Sequence, residues 1–117
     1  MILRGDVFYA DLSPTQGSEQ GGVRPVIVVQ NEMGNRYSKT LQIVPLTTKV
    51  KRPLPTHVFL PSGSVDNLEP SVVLAEQLRT IDRSRLIHYV GHIDNGYMSL
   101  INGALLVSLG FVNAHSK

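Results

Sequence analysis

Residues Val23 to Gln30 read V-R-P-V-I-V-V-Q, a stretch in which Val23, Val26, Ile27, Val28 and Val29 are β-branched and apolar. Apolar side chains in succession, without the polar alternation of a half-exposed strand, belong to a strand covered on both faces. A strand of that kind needs partners, so the chain must fold around a sheet. Pro25 has no N–H to give to a ladder, which places it at the strand's beginning or on an edge.

The rest of the chain reads as further short strands joined by loops. Val7–Leu12 is a first strand, and Ser13–Gly22, with Pro14, Gly17, Gly21 and Gly22, is a loop. Asn31–Thr40 holds Gly34 and Asn35 and reads as a loop or short turn. Leu41 and Ile43 flank Gln42 in a third strand running toward Pro45-Leu46. Thr47–Pro55 is polar, basic and carries two prolines, so it reads as loop. His57–Leu60, Val72–Gln77 and Tyr89–Ile93 read as strands, with the turn-rich Pro61–Pro70 between the first two.

One helix closes the pattern. Tyr97, Leu100, Ile101, Ala104, Leu105, Ser108 and Leu109 repeat at helical spacing, with Asp94 placed to cap the start and Gly110 where a helix-ending glycine belongs. Phe111 is expected to fold back on the last turn. The predicted fold is α+β, mainly β: a small, mostly antiparallel β-barrel of five to seven strands with a C-terminal helix. A chain of 117 residues supports one domain, expected over residues 1–112, with 113–117 a frayed tail.

Composition excludes several classes of chemistry. There are no cysteines, hence no disulfide, thiolate metal site or cysteine nucleophile. No apolar run approaches the roughly 20 residues of a membrane helix, and the N-terminus lacks a signal-peptide pattern, so a cytoplasmic protein with no membrane partner is expected. The net charge is only +2, but Arg24, Arg36, Lys39, Lys49, Lys51 and Arg52 face a single acid, Glu32, within one segment. A local balance of +5 favours contact with a polyanion.

Familiar catalytic patterns are missing. The glycines from Gly17 to Gly22 are followed by Val23-Arg24 rather than the Lys-Ser/Thr of a phosphate-binding loop. His88 and His92 have helical metal-ligand spacing, but Gly91 and the β-branched neighbours make that segment a strand, and no H-E-x-x-H carboxylate accompanies them. His57 is expected to face out of its strand, and His115 lies in the tail. No G-x-S-x-G elbow supports a serine hydrolase. The carboxylates are scattered, which disfavours metal-dependent nuclease chemistry.

What remains is Gly17-Ser18-Glu19-Gln20-Gly21-Gly22-Val23-Arg24-Pro25, a polar glycine-rich loop feeding an arginine at a strand start. Such a loop offers backbone N–H groups, and a guanidinium fork fits a phosphate. Pro25 favours an extended Arg24. Thr47-Thr48 opens the basic loop with hydroxyls suited to a phosphate or a developing charge.

The same stretch carries a family resemblance. R-G-D-V at Arg4–Val7, A-D-L-S-P at Ala10–Pro14 and G-S-E-Q-G-G-V-R-P at Gly17–Pro25 resemble the MazF/PemK toxin ribonucleases, in the branch typical of Gram-positive bacteria. The match continues in family order through Gln30-Asn31, G-N-R at Gly34–Arg36, P-T-H-V at Pro55–Val58 and E-Q-L-R-T-I-D at Glu76–Asp82. The resemblance implies a compact SH3-like barrel of the CcdB/MazF type and a homodimer. It also implies metal-independent cleavage of single-stranded RNA, without a cofactor. In such enzymes the RNA's 2′-OH is the nucleophile, leaving a 2′,3′-cyclic phosphate and a 5′-OH. This branch prefers U-rich, ACA-containing pentamers.

By position in the motifs, the resemblance makes Arg24 and Thr47 the main catalytic residues. Thr47 is preferred to Thr48 because the family's threonine directly follows the short strand, here Val44-Pro45-Leu46. Ser18, Glu19 and Gln20 correspond to the flexible loop beside the site, and Gln77 and Arg79 to a motif near the RNA groove. A guanidinium hardly deprotonates, so Glu19 is the alternative acceptor for the 2′-OH proton. Arg36, Lys39, Lys49, Lys51 and Arg52 are expected to contact phosphates, and Tyr9 and Tyr37 are candidates for stacking on bases. A cognate MazE-like antitoxin with a flexible acidic segment is the expected protein partner. A CcdB-type gyrase poison and a non-cutting RNA-binding module are the rival readings, and the Arg24–Thr47 pair argues against both.

Overall fold

The computed structural model describes residues 1–50 and 52–114. Seven antiparallel strands form one curled sheet: β1 (Asp6–Asp11), β2 (Val23–Val28), β3 (Thr40–Thr47), β4 (His57–Leu60), β5 (Ser71–Leu74), β6 (Arg79–Asp82) and β7 (Leu86–His92). The strand order is β4-β5-β3-β2-β1-β7, with β6 also paired to β3. The mainly-β architecture is the one expected, although among the described residues β4 and β7 do not pair, so the barrel-like curl stays open.

β2 occupies the middle of this sheet, between β1 and β3, as its unalternated sequence requires. Ile27 and Val29 join one core with Val7, Val44 and Leu46, while Val26 and Val28 join a second with Ala10, Leu12, Leu41, Ile43 and Ile81. Each face of the strand therefore removes apolar surface from water, worth about 1.5–3 kcal/mol for each fully buried Val or Ile. Pro25 pairs with Tyr9 of β1 but lies before the β2–β3 pairing, which starts at Val26 and Pro45, so its missing N–H interrupts no ladder on that side.

β3 changes partners along its length. Thr40–Ile43 pair with β6, Ile43–Pro45 with β2, and Leu46–Thr47 with β5. Two register shifts in β1–β7 supply further bending.

Helix α2 (Asn95–Ser108) matches the sequence reading closely. The Asp94 carboxylate accepts from the Tyr97 N–H at 3.0 Å, and Gly110 has φ +80°, a conformation that favours glycine. The Phe111 N–H folds back onto the Leu106 carbonyl at 2.9 Å, but the Phe111 ring itself is exposed. The buried face is narrower than the periodicity suggests: Met98, Ile101 and Ala104 are buried, whereas Leu100 and Leu109 are exposed.

Three local expectations are corrected. Asn31–Thr40 contains a helix, α1 (Glu32–Tyr37), capped by the Asn31 side chain accepting from the Gly34 N–H at 2.8 Å. Asn35 is buried inside it, and its amide donates to the Gln30 carbonyl. Second, the strand expected over Val72–Gln77 ends at Leu74 and continues as a 3₁₀ turn, Ala75–Gln77. Third, β6 is an additional strand followed by a second 3₁₀ turn, Arg83–Arg85. Of the expected tail, His115, Ser116 and Lys117 lie outside the described residues.

Candidate functional site

The β2–β3 register explains how residues 24 and 47 meet. Its pairs are Val28 with Ile43, Ile27 with Val44 and Val26 with Pro45. Beyond that last pair β3 turns to β5, where Thr47 pairs with Val72, and Arg24 Nη1 reaches across to the Leu46 carbonyl, one residue before Thr47.

Arg24 and Thr47 line one cavity of about 230 Å³, together with Tyr9, Thr48, Glu69 and Ser71. The guanidinium is held by backbone oxygens on two sides: Nε donates to the Gly21 carbonyl at 2.8 Å and Nη1 to the Leu46 carbonyl at 3.4 Å. Among the described residues no carboxylate lies within ion-pair distance of it. Its charge is thus oriented but not neutralised by a protein anion. Thr47 is buried, and its Oγ1 accepts from the Lys49 N–H at 3.2 Å. Because the hydroxyl accepts that bond, its own proton is left to donate into the cavity.

The loop residues lie elsewhere. Ser18 and Glu19 line a second cavity of about 540 Å³ with Pro14, Glu76, Gln77 and Arg79. Glu19 Oε1 accepts from the Gln16 N–H at 2.6 Å, closing a turn within its own loop. Arg24 is oriented by carbonyls and not by Glu19. The Gln20 N–H donates to Gln77 Oε1 at 3.1 Å, and Gln77 Nε2 donates to the Ser18 carbonyl at 3.1 Å. Arg79 Nη1 donates to the Leu12 carbonyl at 3.2 Å. Gln77 and Arg79 therefore bind the protein's own backbone.

The basic stretch is not one patch. Arg36 and Lys39 precede β3, whereas Lys49 and Arg52 follow it, and eight residues of extended strand span about 25 Å. Lys51 lies outside the described residues. Arg36 sits over the exposed Tyr37 ring at 5.7 Å, beside an apolar cleft that also includes Met1, Leu3 and Met33. Tyr37 is accordingly far along the strand from Thr47. Tyr9, by contrast, lines the Arg24 cavity and packs on the His88 ring at 4.8 Å.

Two polar residues of the cavity were missed from sequence, Glu69 and Ser71. Their only signal is the turn-rich composition of the loop leading into β5, which does not distinguish them. His57 and His92 are each held by a protein carboxylate. His57 does not face outward: its ring is largely buried and lies 3.1 Å from Glu76, which also accepts from Thr56 at 2.8 Å. His92 pairs with the buried Asp6 at 2.8 Å. Among the described residues no group of three or more His, Asp or Glu side chains is disposed to hold a metal ion. Among the described residues no helix is long and apolar enough to cross a membrane.

Comparison with known proteins places this geometry in context. Residues 3–109 match the family described as PemK-like, MazF-like toxin of type II toxin–antitoxin system. Endoribonuclease EndoA of Bacillus subtilis is 46% identical over 114 residues, covering 97% of this chain and 98% of that protein. Endoribonuclease MazF of Staphylococcus saprophyticus is 44% identical over 111 residues, covering 94% and 92% respectively. Among solved structures, a mycobacterial endoribonuclease in complex with its cognate antitoxin superposes with a TM-score of 0.80 at 31% identity, covering 96% of this chain and 98% of that one.

Proposed function

This chain belongs to the PemK-like, MazF-like toxin family of type II toxin–antitoxin systems and is an endoribonuclease, and on that premise we propose that it cuts single-stranded RNA at short sequence motifs, without a metal ion, by attack of the RNA's own 2′-OH. The observation that carries the reading is the convergence of an unneutralised guanidinium, Arg24, and a hydroxyl donor, Thr47, in one cavity.

In this reaction the 2′-OH oxygen attacks the adjacent phosphorus in line with the departing 5′ oxygen. Charge accumulates on the non-bridging oxygens as the bond order changes. Arg24, already oriented by the Gly21 and Leu46 carbonyls, stabilises that charge, and Thr47 donates a second hydrogen bond. Donors fixed before the reaction need no reorganisation in the transition state. The departing 5′ oxygen takes up a proton from solvent, and the products are a 2′,3′-cyclic phosphate and a 5′-OH.

Glu69 accepts the 2′-OH proton. Glu69 is the acidic residue in the lining of the Arg24–Thr47 cavity, whereas Glu19 lines the neighbouring one. Lys49 and Arg52 stand on the cavity's side of β3 and contact the flanking phosphates. Arg36 and Lys39 serve RNA that extends along the strand toward α1. Tyr9 offers a ring beside the reacting centre for an unstacked base.

The protein acts as a homodimer in the bacterial cytoplasm and is held inactive by a cognate antitoxin; the family description and the antitoxin-bound mycobacterial relative support the antitoxin. A flexible acidic antitoxin segment is complementary to the bases flanking β3, so antitoxin and RNA compete. Simultaneous binding of both at one site contradicts this part of the reading.

The test is incubation with a long single-stranded RNA in excess EDTA, followed by end-group analysis. Cuts at a few defined sites, with 5′-OH ends, support the proposal. Activity that disappears with EDTA and returns with a divalent cation overturns its metal-free mechanism.

A further inference from the structure

We propose that Arg85, Arg79 and Gln77 are positioning residues, which aim Arg24 by gripping both stems of the loop between β1 and β2. The outgoing stem presents three consecutive carbonyls, and each receives a guanidinium donor. Arg85 Nη1 donates to Asp11 at 3.0 Å and to Ser13 at 2.6 Å, and Arg79 Nη1 donates to the intervening Leu12. The returning stem is held by Gln77, whose amide accepts from the Gln20 N–H and donates to the Ser18 carbonyl.

The two stems are then tied to one another. The Leu12 N–H donates to the Gly22 carbonyl at 2.9 Å, and the Gly22 N–H donates to Ser13 Oγ at 2.9 Å. The next carbonyl, that of Gly21, receives Arg24 Nε. From Arg85 the path to the reacting guanidinium is Ser13, Gly22, Gly21, Arg24. Every step in it is a hydrogen bond or a covalent neighbour.

All three gripping side chains come from residues 77–85, a segment anchored by Ile81 in the second core and by Leu78 against the first. β6 fixes its register against β3, and Asp82 fixes the turn that carries Arg85 by accepting from the Ser84 N–H at 2.9 Å. Hydrogen bonds from Ser84, aided by the nearby Arg85 charge, hold the Asp82 carboxyl below its ordinary range, so the cap stays ionised. On this reading Arg85 and Arg79 act by fixing the loop's backbone, with Arg24 the guanidinium that meets the phosphate.

That difference makes the inference testable, and it rests on the cleavage reading for its kinetic arm only. On the full chain, ¹⁵N NMR reads solvent exchange at Arg24 Nε–H, with Arg4 Nε–H, bonded to the Val29 carbonyl at 2.7 Å, as the internal control. Arg85→Ala is expected to speed Arg24 exchange by about tenfold or more while the Arg4 control stays unchanged. Unchanged Arg24 exchange in a folded variant overturns the proposal, whether or not any RNA is cut. Where Arg85→Ala does not fold, Gln77→Ala on the returning stem supplies the same readout.

In cleavage assays Arg85→Ala is expected to lower kcat roughly 10- to 100-fold with KM unchanged, since displacing a reacting group by about 1 Å has effects of that size. The dependence of RNA affinity on salt should keep its slope. A slope reduced by about 0.7, the share of one phosphate contact on a single strand, makes Arg85 an RNA contact and overturns the proposal. A wild-type chain that cuts no RNA defeats the functional reading instead, and the exchange measurement still decides this one.

Discussion

Arg24 Nη1 donates to the carbonyl of Leu46, one residue before Thr47. The bond stitches the start of β2 to the end of β3 just beyond the last rung of their ladder, Val26 with Pro45. Arg24 and Thr47, 23 positions apart, thereby line one cavity. The anchor is a backbone oxygen, so it tolerates any side chain at position 46 that fills the core.

Arg24→Ala removes a preorganised charge from the reacting centre and should lower the single-turnover cleavage rate about 100- to 1000-fold. Arg24→Lys should recover little of the loss, because an ammonium cannot span two carbonyls and a phosphate as the guanidinium fork does. Unchanged thermal midpoints in both variants would separate the effect from unfolding.

Thr47 is expected to act through its hydroxyl proton. Thr47→Val keeps the shape and should lower kcat roughly 100-fold, the effect of losing one such donor, while Thr47→Ser should stay within about tenfold of the wild type. Equal activity in the Val and wild-type proteins would remove Thr47 from the mechanism.

The placement of the two glutamates separates their roles. Glu69→Gln should reduce kcat about 100-fold or more if its carboxylate takes the proton, whereas Glu19→Gln should change kcat far less. Rate profiles of the two variants, collected side by side, check this, and the reverse ranking contradicts it.

How far the sequence speaks can be judged from particular elements. β2 and α2 were legible because their signals are local: an unbroken β-branched run, and a helical repeat flanked by Asp94 and Gly110. α1 was not, since six residues containing Gly34 and Asn35 resemble a turn until Asn31 and the buried Asn35 supply tertiary bonds. β6, R-T-I-D, has one buried apolar side chain and is a strand only because β3 offers it an edge. The Arg24–Thr47 pair was visible through family motifs; no local pattern encodes a β2–β3 register. The basic stretch read as one surface because sequence proximity hides the length of β3.

Helix packing offers a check on the fold. Ile101 is fully buried, whereas Leu100 is 58% exposed. Ile101→Ala should destabilise the protein by about 2–5 kcal/mol in denaturant unfolding, from lost transfer energy and the cavity left behind. Leu100→Ala should cost the free monomer less than about 1 kcal/mol. Similar losses for the two variants would mean that α2 presents a different face to the core.

The central claim, that the RNA supplies its own nucleophile at the Arg24–Thr47 cavity, is tested most directly by one substitution in the substrate. An oligonucleotide carrying a cleavage site is prepared with a single 2′-deoxy sugar immediately 5′ of the scissile phosphate, and its cleavage rate in EDTA is compared with the all-ribose parent. The account predicts that the parent is cut to a cyclic phosphate and a 5′-OH while the deoxy substrate binds and stays intact. Cleavage of both at the same rate and position would contradict it, and would require water or a protein group as the nucleophile.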